Sequence, residues 1–119
     1  MVTKKQYVRL ITDDSRIRVD FTIEKGKVTE FVTQYELLIQ DQWHPVIRYD
    51  TAHNFVHIDR FHSDGTKAKK KFNFLNYNEA LTYAILDLNT NWKKYKNQFL
   101  RGLKNEKRRN CCTESTHRR

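Results

Sequence analysis

The sequence predicts an α+β domain: an antiparallel meander sheet of about five or six strands, followed by one long C-terminal helix packed on one face. Three observations carry this. Residues 16–24 (RIRVDFTIE) alternate polar and apolar side chains without a fault, the period-2 signature of a strand with one buried face. Short turn sequences recur up to Phe74 with no helical stretch between them, and strands joined that closely pair antiparallel. From Asn76 onward the apolar spacing switches to that of a helix.

Taken in order, residues 6–12 form a first, shorter strand, ended by Asp13-Asp14-Ser15. Residues 16–24 follow, and Lys25-Gly26-Lys27 makes a hairpin turn in which Gly26 is free to take positive φ. The third strand, 28–39, places Phe31, Tyr35, Leu37 and Ile39 toward the core, and Gln40-Asp41-Gln42 turns the chain again. Pro45 has no N–H for a ladder, so it is expected near the start or on the edge of the next strand, 46–49. Residues 55–61 and 67–74 complete the sheet around the turn Ser63-Asp64-Gly65-Thr66. Asn76 followed by Glu79 fits a capping box. Leu81, Ile85, Leu88, Trp92, Tyr95 and Phe99 then draw one apolar stripe along a helix expected to end near Gly102. A bare sheet needs a cover, so the stripe is expected on its own sheet; the alternative is a seam with a second copy.

At 119 residues, with seven Phe, six Tyr and two Trp, the chain supports one core, a domain at 1–103. Residues 104–119 hold six basic side chains against two acidic ones without apolar periodicity, and read as a basic disordered tail. The formal net charge of +9 favours an acidic partner such as RNA or an acidic protein. Lys93, Lys94 and Lys96 form a basic helix face, either a solvated surface or a nucleic-acid-binding one. No apolar run is long enough to span a bilayer and the N-terminus lacks the apolar centre of a secretion signal, which makes the cytoplasm the expected location. Cys111 and Cys112 are adjacent and are expected as exposed, reduced thiols; no metal site and no cofactor is expected.

The richest chemistry lies in VIRYDTAHNFVHIDRFH, residues 46–62. A four-residue loop, Thr51-Ala52-His53-Asn54, would set Asp50 opposite Phe55, Arg48 opposite His57 and Val46 opposite Asp59. Ile47, Tyr49, Val56 and Ile58 then share one face, while Arg48, Asp50, His57 and Asp59 share the other, with Phe55 and Phe61 beside them. A loop one residue shorter would mix the two sets. In that arrangement His57 is the candidate proton shuttle, Asp59 and Asp50 its carboxylates, and Arg48 the cation for a phosphate. Opposite charges across an exposed hairpin are equally the ordinary stabilisation of a sheet. At about 3.3 Å per residue, His53 and His57 are expected roughly 13 Å apart, too far to share a metal unless His53 folds back in the loop.

The segments FVTQYE, WHPVIRYDTAHNFVHIDRFHSDGT and NYNEALTYAILDLNTNWKKYKNQF resemble a family of small uncharacterised prokaryotic proteins built around RYDTAHG, a following His and acidic residue, and a helix of the form NEAL…DL…W..Y...F. Asn54 stands where that family has Gly. The Arg48-Tyr49-Asp50 segment with His53 and His57 is also similar, more distantly, to the TumE family of toxin–antitoxin systems, whose histidine cluster is denser. That resemblance implies a small toxin partnered by an antitoxin-like protein, and the first expectation is a toxin-related protein acting on or binding RNA. The alternatives are a noncatalytic module binding nucleic acid or protein, and a structural homodimer subunit; whether the chain is an enzyme stays open.

Overall fold

The computed structural model describes residues 1–74 and 76–115, over 105–115 the backbone alone. Six strands, β1 (Val2–Thr12), β2 (Ser15–Glu24), β3 (Lys27–Ile39), β4 (Gln42–Asp50), β5 (Val56–Phe61) and β6 (Lys67–Phe72), precede one helix, α1 (Tyr77–Ser115). They form one antiparallel sheet in the order β1-β2-β3-β4-β5-β6, the expected meander. The turns explain why neighbours pair. Lys25 and Gly26 have φ of 54° and 77°, and Gln40 and Asp41 of 51° and 66°. A two-residue hairpin with both φ positive follows the right-handed twist of its strands. The first strand begins at Val2, earlier than its apolar pattern indicates, because β2 offers partners as far as Glu24.

Pro45 departs from expectation. It is the fourth residue of β4, an interior strand, and sits where the β3–β4 register shifts: Tyr35 pairs with Ile47 and Glu36 with Pro45, leaving Val46 as the extra residue. The missing N–H therefore falls at a bulge, where the ladder is already interrupted.

One face carries Ile17 and Val19 from β2, Phe31, Thr33 and Tyr35 from β3, and Ile47 and Tyr49 from β4, all buried. The helix covers it, packing mainly on β3. Leu81, Leu88 and Phe99 are buried and Ile85, Trp92 and Tyr95 partly so, while the small side chains of Ala80 and Ala84, fully buried, let the helix approach closely. The stripe is thus engaged by its own sheet rather than left as a seam for a second copy. Asn76 caps the helix, its Oδ1 accepting the Glu79 N–H at 2.8 Å.

The helix does not stop at Gly102. It continues to Ser115, through most of the stretch expected to be a disordered tail, of which residues 116–119 lie outside the described residues. A single glycine costs a helix only about 1 kcal/mol relative to alanine. Gly102 answers a different need, since a Cβ there would meet Ser63 Oγ at 3.3 Å, where the helix passes the β5–β6 turn. The side chains of Cys111 and Cys112 also lie outside the described residues. Among the described residues no helix is long and apolar enough to cross a membrane.

Candidate functional site

The face without the helix is polar but not fully exposed. Alternation along β4 and β5 puts Arg48, Asp50, His57 and Asp59 there together, opposite Ile47, Tyr49 and Ile58. The register differs from the expected one by two residues: Asp50 pairs with His57 and Arg48 with Asp59. An even shift preserves faces, so the sorting holds while the neighbours change. The cause is the connection, in which Thr51 precedes a short 3-10 turn, Ala52–Asn54, with His53 and Asn54 at φ of 70° and 69°. Asn54 takes the left-handed conformation that glycine ordinarily fills.

That shift gives His57 two carboxylate neighbours and no guanidinium. His57 and Asp59 are 2% and 1% exposed, and Asp50 is 9% exposed. His57 Nε2 lies 2.8 Å from Asp50 Oδ1 and 3.2 Å from the Ala52 carbonyl oxygen. The carbonyl can only accept, so Nε2 carries a hydrogen, and in the neutral imidazole the lone pair is then on Nδ1. Asp50 Oδ1 also accepts the Ala52 N–H at 3.1 Å, which locks the carboxylate in place. On the other side of the ring, Nδ1 faces Asp59 Oδ1 at 3.7 Å, and both atoms are buried without a hydrogen-bond partner among the described residues. Lys67 Nζ reaches Asp59 Oδ2 at 3.5 Å, and Lys69 Nζ stands 4.0 Å from Oδ1.

The cover over the imidazole is aromatic. Phe55 meets His57 edge-on with centroids 5.5 Å apart, and His53 stacks on it at 6.0 Å. The expected 13 Å separation of the two histidines is thereby corrected, because the left-handed turn folds His53 back. Arg48 points away from His57: its Nε donates to Gln34 Oε1 at 2.6 Å, and its guanidinium carbon lies 5.1 Å from the centre of the Phe61 ring.

Gln34 links Arg48 to a second polar group. Its Nε2 donates to Glu36 Oε2, Arg16 Nε donates to Glu36 Oε1 at 2.6 Å, and Arg18 Nε stands 3.9 Å from Glu36 Oε2. Sequence reasoning missed Arg16, Arg18, Gln34, Glu36, Lys67 and Lys69 as neighbours of the site. The signal was their alternation with core residues in RIRVDF and TQYE, and the Lys67, Lys69, Lys71 series on β6.

Lys93, Lys94 and Lys96 are not brought to this face. They belong to the helix, on the opposite layer, where Lys96 Nζ pairs with Asp14 at 3.2 Å and Lys93 Nζ lies 5.8 Å from the Trp92 ring centre. A hydrogen bond from Thr12, assisted by Lys96, holds the Asp14 carboxyl below the ordinary carboxylate range. At the helix–sheet interface the phenols of Tyr49 and Tyr95 donate to Asp87, at 2.6 Å and 2.9 Å. Burial, with that acidic partner, pushes both phenols above their ordinary range.

A family profile described as a domain of unknown function, DUF7718, matches residues 2–105. The chain belongs to that family. The matched span contains the whole sheet and the Asp50–His57–Asp59 arrangement, so the family's domain includes the polar face as well as the core. Comparison with curated proteins and with solved structures gives no match.

Proposed function

We propose that the helix-free face binds single-stranded RNA without cleaving it. The observation that carries this reading is the placement of cations over aromatic rings on that face. Arg48 stands over Phe61 at 5.1 Å, Lys67 over Phe61 at 5.6 Å and Lys71 over Phe55 at 4.8 Å. A base that displaces the cation from a ring face stacks there irrespective of sequence, and the displaced cation meets the phosphate beside it. The net charge of +9 supplies the long-range attraction.

Fluorescence anisotropy with a labelled single-stranded RNA tests this. Affinity should fall steeply from 50 to 200 mM salt, as release of phosphate counterions requires. Phe61→Ala and Arg48→Ala should each weaken binding about tenfold, a base-stacking contact being worth roughly 1–3 kcal/mol. The pair Lys93→Glu and Lys94→Glu, on the opposite layer, should have a smaller effect. Absence of binding at low salt, or loss of binding in the helix variants alone, would sink the proposal.

A cleavage reading has one specific support, an imidazole held between two carboxylates. With the Ala52 carbonyl holding the Nε2 hydrogen, Nδ1 of a neutral His57 would take the proton of a ribose 2′-hydroxyl as that oxygen attacks phosphorus. Water would protonate the departing 5′-oxygen, and Arg48, released from Gln34, would steady the phosphate. Phe55 and His53 must first move aside, because His57 is 2% exposed. The resemblance to the TumE toxins adds the expectation of growth arrest on induction in bacteria, relieved by an antitoxin-like partner. RNA that stays intact with the wild-type chain ends this reading; cleavage lost in His57→Ala with RNA binding retained supports it.

A further inference from the structure

The two buried atoms that face each other beside His57 have a use beyond RNA binding. In the neutral ring Nδ1 of His57 and Oδ1 of Asp59 are both electron-rich, they lie 3.7 Å apart, and neither has a hydrogen-bond partner among the described residues. Leaving such atoms buried and unpaired is costly, so the arrangement calls for something positive between them. We infer that these two atoms bind a divalent metal ion of the zinc class, with Asp50 as the outer carboxylate that orients the imidazole.

Distance supports the assignment. Metal bonds to His nitrogen and carboxylate oxygen are about 2.0–2.2 Å, and two of them bent at an ordinary coordination angle span 3.7 Å. The nitrogen facing Asp59 is the one that carries the lone pair in the neutral imidazole, because the Ala52 carbonyl accepts the hydrogen on Nε2, with Asp50 Oδ1 2.8 Å from the same nitrogen. A metal-bound histidine characteristically donates its other N–H to a carboxylate or a carbonyl, and here it has both. Asp50, His57 and Asp59 also offer ligand atoms within 4.8 Å of one another. Lys69, with a half-exposed side chain 4.0 Å from Asp59 Oδ1, can withdraw to solvent as an ion arrives, while Lys67 remains on Oδ2. One imidazole and one carboxylate favour zinc, cobalt or manganese over magnesium, which prefers oxygen ligands. The inference is independent of the RNA reading.

The test is a zinc titration of the full-length chain carrying Cys111→Ser and Cys112→Ser, which removes thiolate binding elsewhere. Calorimetry is read together with the nitrogen NMR signals of the five histidine rings. One zinc per chain, with the largest shift at Nδ1 of His57 and no response to magnesium at equal concentration, is the expected result. Asp59→Asn should weaken binding more than tenfold, and Asp50→Asn by roughly 10–100-fold, the usual effect of losing an outer partner. Absence of zinc binding would overturn the inference. A shift confined to His44, His53, His62 or His117 would overturn it too. The NMR readout on a chain with the site intact stands even if a site variant fails to fold.

Discussion

On the helix-covered face, Ile17, Val19, Tyr35 and Ile47 are buried beneath a complete secondary-structure element, and nearly all that is buried there is apolar. On the other face His57 and Asp59 are buried as deeply, but under side chains such as Phe55 and His53, and what is buried there is polar. The first kind of burial stabilises the fold, at about 25 cal/mol per Å² of apolar surface removed from water. The second costs stability wherever an atom is left unpaired, by about 1–3 kcal/mol per group. A chain that keeps such a cost on one face depends on the margin supplied by the other.

The largest expected contrast comes from truncating each face. Leu88→Ala, beneath the helix, should lower stability by about 2–5 kcal/mol. Arg18→Ala, on the helix-free face, should cost about 1 kcal/mol or less, since its 3.9 Å approach to Glu36 is half-exposed. Urea midpoints of the two variants measure the difference, and equal losses would break the comparison.

Next in size is an alkaline effect confined to the covered face. Tyr35 is fully buried, its hydroxyl 2.9 Å from Ser15 Oγ, and burial pushes the phenol from 10.0 up to about 12. Between those values the folded chain keeps a proton that the unfolded chain has lost, so stability is complete below pH 10 and falls as the pH rises through the window. The loss from Tyr35 should approach 2–3 kcal/mol, at about 1.4 kcal/mol per pH unit. Tyr49 and Tyr95 add to it with the same sign. Denaturant midpoints measured from pH 8 to 12 should therefore decline, and Tyr35→Phe should make the decline shallower by the share of Tyr35.

The smallest effect is a gain. Thr33 is fully buried on the covered face, with its Oγ1 unpartnered among the described residues. Thr33→Val keeps the shape and removes the orphan hydroxyl, which should raise stability by about 1 kcal/mol in thermal unfolding. A loss would show that the hydroxyl has a partner of its own.

The same two faces divide what was legible in the sequence. The alternation in 16–24 and around Val46–Phe61 defined which side chains share a face, because facing depends only on odd and even positions. It could not define which of them touch. A displacement of two residues changes every pairing and no facing, so Arg48 was expected beside His57 where Asp50 stands. The folding back of His53 arose from backbone angles in a tripeptide turn, which composition does not report. Helix periodicity carried the stripe from Leu81 to Phe99 to its place on the sheet. Gly102 misled because glycine serves both as a stop and as room for a close neighbour, and only the position of Ser63 distinguishes the two.

The unbroken strand order also bears on how the molecule is made. Each strand pairs with the one synthesised just before it, so no hairpin has to wait for a distant partner, a topology that favours rapid folding. The helix emerges only after all six strands. On the ribosome the nascent sheet therefore spends its early life with Ile17, Val19 and Ile47 uncovered, and that interval is when a chaperone would find it.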